Sequence, residues 1–166
     1  EITDKQADSL VASFNDKSEP ITRYNVHMCE GVSGNHLEKE FDSFAGRDPR
    51  KNRHNGTSLL SFGSAVLIHA VTLDDKQLAE AKDENAMVVW SPSSNFALYG
   101  YGKDKTAPIE KLLDLGIPTG IGPDWTVSGE DDMLSELRVC HTFGEKEKIT
   151  KLTPKKLWEM STIDAS

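Results

Sequence analysis

Residues 65–75 read Ala65-Val66-Leu67-Ile68-His69-Ala70-Val71-Thr72-Leu73-Asp74-Asp75, and this stretch decides the fold class. Four apolar residues in a row, without alternation, predict a strand covered on both faces. Asp74 carries an oxygen suited to accept from the free N–H groups of a helix start, so it predicts an N-cap for a helix through Lys82. A buried strand feeding an amphipathic helix is the building unit of a parallel sheet.

The unit recurs on both sides. Upstream, Thr3–Phe14 sets Ala7, Leu10, Val11 and Phe14 at helical spacing. Tyr24–Cys29 is a short strand-like run, and Asn35–Phe44 predicts a helix. Gly46–Gly56, rich in charge, Pro, Asn and Gly, predicts a loop. Downstream, Ala86–Trp90 is the next buried strand, and Ser91–Lys105 predicts a long loop. Pro108–Leu115 predicts a helix stopped by Gly116, which fills a C-cap without strain. Ile117–Ile121 is the fourth strand and Asp131–Phe143 a helix. Thr153 and Pro154 cap and open the last one. No sequence repeat is recognisable. A leading helix and four strand–loop–helix units match half of an eight-stranded (β/α) barrel, which typically takes about 250 residues. A Rossmann-like sheet is the other reading. It loses ground because no G-x-G-x-x-G follows the first strand and no G-x-x-x-x-G-K-[ST] occurs.

Composition limits the function classes. The 166 residues are 28% charged and 37% apolar, as expected of one globular domain. No apolar run approaches the roughly 18 residues of a membrane span, and the acidic first segment does not resemble a signal peptide. The formal charge of -8 argues against nucleic acid as a partner. Cys29 and Cys140 fit no disulfide framework or Cys-x-x-Cys site, so a reducing, cytoplasmic setting is the expectation. The chain opens in a helical pattern without Met and stops just after another helical pattern. Both ends read as cuts through a longer protein.

The reactive residues share a placement. His27 and Glu30 stand at the C-terminal end of the first strand, His69 at that of the second, and Asp124 follows the fourth after Gly122-Pro123. Strand C-termini of a parallel α/β fold share one face, where barrel enzymes keep their chemistry. Imidazoles and a carboxylate are ligands for zinc or a similar divalent ion, which lowers the pKa of bound water to about 7. A carboxylate outside the ligand set can carry the proton from water to the leaving group, and Glu30 suits that task. Singly, each residue has a plainer explanation: a surface His, a capping Asp, a solvated loop acid. Ligand-type residues at three of four strand ends shift the balance. His36, His54 and His141 do not share the placement; His141 is read as ending a helix, where a cation suits the dipole.

With these motifs in order, the chain resembles the chlorohydrolase and aminohydrolase branch of the amidohydrolase superfamily, which includes cytosine, guanine and adenosine-type deaminases. The markers are VHMCEG (26–31), LIHAVTLDD (67–75), VVWSPSSNFALYG (88–100), LLDLGIPTGIGPD (112–124) and LTPKKLWEMSTIDAS (152–166). They are similar to the family's barrel strands five to eight and its final helix, so residues 1–166 are expected to be the C-terminal half of a barrel. The resemblance implies one divalent metal ion, zinc first and iron or manganese as alternatives. It makes His27 a metal ligand, Glu30 the proton shuttle, His69 a contact to the water or the metal, and Asp124 both ligand and base. Ser94 and Asn95 would shape their loop, with Asn95 holding backbone. Trp125 stands where the family has a small hydroxyl residue, which makes it either a substrate contact or an aromatic packed on the loop.

The reaction implied is hydrolysis of a non-peptide C–N bond, a deamination of a purine, pyrimidine or related heterocycle. C–Cl hydrolysis in the same family is the alternative, and a non-catalytic half-barrel a further one. The family's first-strand His-x-His is absent here. The chain alone is therefore expected to be inactive, paired with its missing N-terminal half or with a second copy of itself.

Overall fold

The computed structural model describes residues 4–18, 21–32, 37–47, 58–63 and 65–162. Helix α1 (Asp4–Asn15) precedes strand β1 (Tyr24–Met28) and helix α2 (Glu38–Phe44). Strand β2 (Ala65–His69), helix α3 (Asp75–Asp83) and strand β3 (Met87–Trp90) follow. Then come α4 (Pro92–Tyr99), α5 (Ile109–Leu115), β4 (Thr119–Ile121), α6 (Met133–Lys146) and α7 (Pro154–Thr162).

Local chemistry accounts for the boundaries. Asp74 accepts from Lys76 N–H and Gln77 N–H at 2.9 and 2.8 Å, while Gln77 reaches back to Asp74 N–H, a complete capping box. Gly116 ends α5 at φ 66°, a left-handed value that a Cβ would strain. Thr153 Oγ1 accepts from Lys156 N–H at the start of α7.

The sheet is wholly parallel in the order β1-β2-β3-β4. A doubly wound sheet would reverse its strand order at a switch point. This one runs in sequence order, as an arc of a (β/α) barrel does. Leu67, Val88 and Trp90 are fully buried beneath the helices, in one core with Leu78, Leu112, Cys140 and Met160. Phe143 of α6 packs against Trp90 and Phe96, at centroid distances of 6.0 and 5.1 Å. The other face of the sheet is less covered: Asn25 and His27 are exposed, and Ile68, Met87 and Val89 are half-buried.

The structure corrects the sequence reading at two places. The long loop predicted over 91–105 is largely α4 and a short 3-10 turn, Lys103–Lys105. Pro92 is acceptable in a first helical turn, and the Glu136 carboxylate accepts from both the N–H and the hydroxyl of Ser93. Distant Glu136 thus turns a loop-like Ser-Pro-Ser-Ser-Asn into a helix start. Second, His141 lies within α6 rather than at its end. Leu59–Phe62, to which the sequence reading assigned no element, forms a 3-10 turn that buries Leu59 and Leu60. Residues 35–36 of the expected second helix, and most of the expected loop after Gly46, lie outside the described residues. Among the described residues, no helix is long and apolar enough to cross a membrane.

Candidate metal and active site

The residues singled out at the strand ends come together. Donor atoms of His27, Glu30 and His69 all lie within 4.8 Å of one another. The rings of His27 and His69 are 5.3 Å apart between centroids. His69 Nε2 stands 3.4 Å from Glu30 Oε1 and 3.8 Å from Asp124 Oδ2. His36 and His54 lie outside the described residues, and His141 faces Glu145 on the surface of α6.

Strand pairing alone would not produce this cluster. The register sets His27 beside Ile68 and Met28 beside His69, so strict alternation would put the two imidazoles on opposite faces. The chain breaks alternation here. Cys29, His69 and Ala70 have φ of 53°, 72° and 51°, left-handed values costing about 1–3 kcal/mol each without glycine. Specific bonds hold the turns. Ala70 N–H donates to Met28 O at 2.9 Å, Val71 N–H to Cys29 O at 3.2 Å, and Cys29 N–H to Glu40 Oε2 at 2.8 Å.

Asp124 is fixed from two sides. Ser94 Oγ donates to its Oδ2 at 2.8 Å and also pairs with Ser128 Oγ, while Trp125 N–H donates to Oδ1 at 2.9 Å. The turn from 124 closes through Gly129 N–H to Trp125 O at 2.8 Å. A Cβ on Gly129 would meet Asp124 N at 2.8 Å, so the carboxylate-bearing turn requires glycine there. Trp125 is 62% exposed within this chain.

Sequence reasoning missed three supports. Ser128 pairs with the Ser94 hydroxyl that holds Asp124, Glu40 holds the end of β1, and Tyr99 Oη donates to Glu30 Oε1 at 3.4 Å. No local sequence pattern signals them; each depends on tertiary packing around the strand ends. Asn95 is a correction. Its side chain contacts the His69 ring and Thr106 instead of holding backbone, because the helical turn aims it into the core.

Electrostatics separate the groups. Burial pushes the His69 imidazole below its usual value; Glu30 and Asp124 pull it back up, and His27 adds to the lowering. Tyr99 is raised, first by burial and then by Glu30. Burial pushes the Cys29 thiol up to about 11, so it is no thiolate nucleophile at neutral pH.

The donor set suits a divalent ion. The imidazole of His27 and the carboxylates of Glu30 and Asp124 are groups that zinc accepts, and they gather around His69 at one set of strand ends. His69 Nε2 is also buried without a hydrogen-bond partner among the described residues, which marks space for a further participant.

Comparison with known proteins finds relatives in sequence and in fold. The 5-methylthioadenosine/S-adenosylhomocysteine deaminase of Desulforamulus reducens is 30% identical over 150 residues, covering 86% of this chain and 31% of that protein. Its namesake in Pyrococcus furiosus is 31% identical over 105 residues, covering 60% and 23%. In sequence and in fold the chain is similar to members of the amidohydrolase superfamily. It spans about a third of the length of the first of these relatives and a quarter of the second. No family model matches it. Among solved structures, the zinc complex of atrazine chlorohydrolase from Arthrobacter aurescens superposes with a TM-score of 0.72 at 20% identity, covering 98% of this chain and 34% of that one. A zinc-bound adenosine deaminase from Xanthomonas campestris gives 0.71 at 18%, covering 98% and 35%. The four parallel strands form a partial (β/α)8 barrel.

Proposed function

We propose that this chain contributes the fifth to eighth strands, and with them half of the reactive groups, of a metal-dependent aminohydrolase. The observation that carries the reading is the convergence of His27, Glu30, His69 and Asp124 from three strand ends. The proposed substrate is a small heterocycle bearing an exocyclic amino group, an adenine-type base or nucleoside first, in line with the deaminases similar in sequence. Zinc is the proposed ion, although His and carboxylate donors also accept iron or manganese.

His27 and Asp124 hold the ion in this reading. When bound, it supplies a nucleophile at neutral pH by acidifying water. Asp124 takes a proton from the attacking water. Glu30 delivers one to the amino group, so that the C–N bond breaks and ammonia leaves as the ring carbon gains oxygen. Tyr99 steadies Glu30, and exposed Trp125 is the proposed contact to the substrate. His69 addresses the water or the ion. C–Cl hydrolysis is a second reading, supported by the likeness of fold to atrazine chlorohydrolase.

The half-covered sheet face and the outer edges of β1 and β4 suit a barrel closed by the remaining strands, from an N-terminal half or a second copy. The two buried free cysteines suit a reducing, cytoplasmic setting. The test is complementation. The chain is mixed with the separately expressed N-terminal part of a relative, and bound zinc and ammonia release are measured over a purine and pyrimidine panel. A folded complex that binds no metal and releases no ammonia would overturn the reading.

A further inference from the structure

A chain of buried hydrogen bonds leads from the core to His69, and its direction is fixed at the far end. Trp90 Nε1 can only donate, and it lies 2.8 Å from Thr106 Oγ1. The Thr106 hydroxyl therefore accepts there, and its own proton goes to Asn95, 3.0 Å away. Only the amide oxygen of Asn95 can receive it. That places the Asn95 NH2 group toward His69 Nδ1, at 3.1 Å. Since NH2 donates, Nδ1 accepts, and the single proton of the neutral imidazole sits on Nε2. All four residues are at most 1% exposed, so water does not offer alternatives.

We propose that Trp90, Thr106 and Asn95 form a positioning relay that holds His69 in its Nε2–H tautomer. The protonated nitrogen points between Glu30 Oε1 and Asp124 Oδ2, at 3.4 and 3.8 Å, and has no partner among the described residues. An N–H donates and has no lone pair for a metal. Of the two roles open to His69, the relay selects hydrogen-bond donor to an oxygen held between the carboxylates. A ligand role would need the proton on Nδ1, facing the Asn95 NH2. Turning the amide over would then leave the Thr106 proton with no acceptor among the described residues. The tautomer stands on this chain's own hydrogen bonds; only its use toward water rests on the aminohydrolase reading.

The experiment uses the 166-residue chain labelled with 15N, without metal or substrate, at a pH above about 8 where imidazoles are neutral. Long-range 1H–15N correlations of the ring distinguish the tautomers, and His69→Gln assigns the signals. The expected result is an Nε2–H pattern for His69. In Asn95→Asp, a carboxylate accepts from both Thr106 and the ring, and the pattern moves to Nδ1–H. Thr106→Ser keeps the wild-type pattern, whereas Thr106→Val loses the amide's orientation and gives a mixture. An Nδ1–H pattern in the unaltered chain overturns the proposal, as does a pattern indifferent to both Asn95→Asp and Thr106→Val. Should Asn95→Asp fail to fold by circular dichroism, the Thr106 pair decides: identical spectra for Ser and Val overturn the relay. A failed complementation assay with the expected tautomer pattern would overturn the aminohydrolase reading and leave the relay standing.

Discussion

Ser94 Oγ lies 2.8 Å from Asp124 Oδ2, so the first turn of α4 holds the carboxylate at the end of β4. Ser94→Ala should leave the fold intact by circular dichroism. It should weaken metal binding about 10–100-fold, the usual cost of losing a support behind a metal ligand. Competition against a chromophoric chelator measures it, and unchanged affinity would remove Asp124 from the ligand set.

Gly129→Ala should act on the same carboxylate by another route. Its Cβ would press on Asp124 N at 2.8 Å and Cα at 3.2 Å, contacts too short to keep. Metal affinity is expected to fall by at least as much as with Ser94→Ala. A fully retained affinity would show that the 124–129 turn does not position the ligand.

Glu30→Ala should separate proton transfer from metal binding. In the complemented enzyme, ammonia release is expected to drop about 10²–10⁴-fold, the usual contribution of general acid–base catalysis, with metal content unchanged. Loss of the metal would make Glu30 a ligand, which its place in the His27–Glu30–His69 cluster also permits.

Glu136 gives a pH signature of stability. It is buried, and burial raises its pKa above 4.5 against the opposing hydrogen bonds from Ser93. The folded state thus holds the proton more tightly than the unfolded chain. Its contribution is present below pH 4.5 and is lost as pH rises through the raised value. Urea-unfolding free energies of the chain minus those of Glu136→Gln should decline over that window and then level off. A flat difference would remove Glu136 as the source.

Phe143→Ala tests the core that carries the site. Phe143 is 1% exposed against Trp90, Phe96 and Tyr101, and its removal should cost about 3–5 kcal/mol in urea unfolding. A loss under about 1 kcal/mol would mean that α6 does not anchor the strands.

The sequence by itself determined the strands, most of the helices and which residues stand at strand ends. Those features are local: an apolar run such as Ala65–Ile68 has one way to be buried, and Asp74, Gly116 and Thr153 act on their own neighbours. The family resemblance was legible for the same reason, since its motifs are short and ordered. Three things were decided only in three dimensions. Glu136 made a helix of Ser-Pro-Ser-Ser-Asn from 43 residues away. Left-handed turns at Cys29, His69 and Ala70 brought together two imidazoles that strand alternation would have separated. The Trp90–Thr106–Asn95 path set the direction of the hydrogen bond at His69. Each depends on contacts between groups far apart in the chain, whose geometry exists only after the helices have packed.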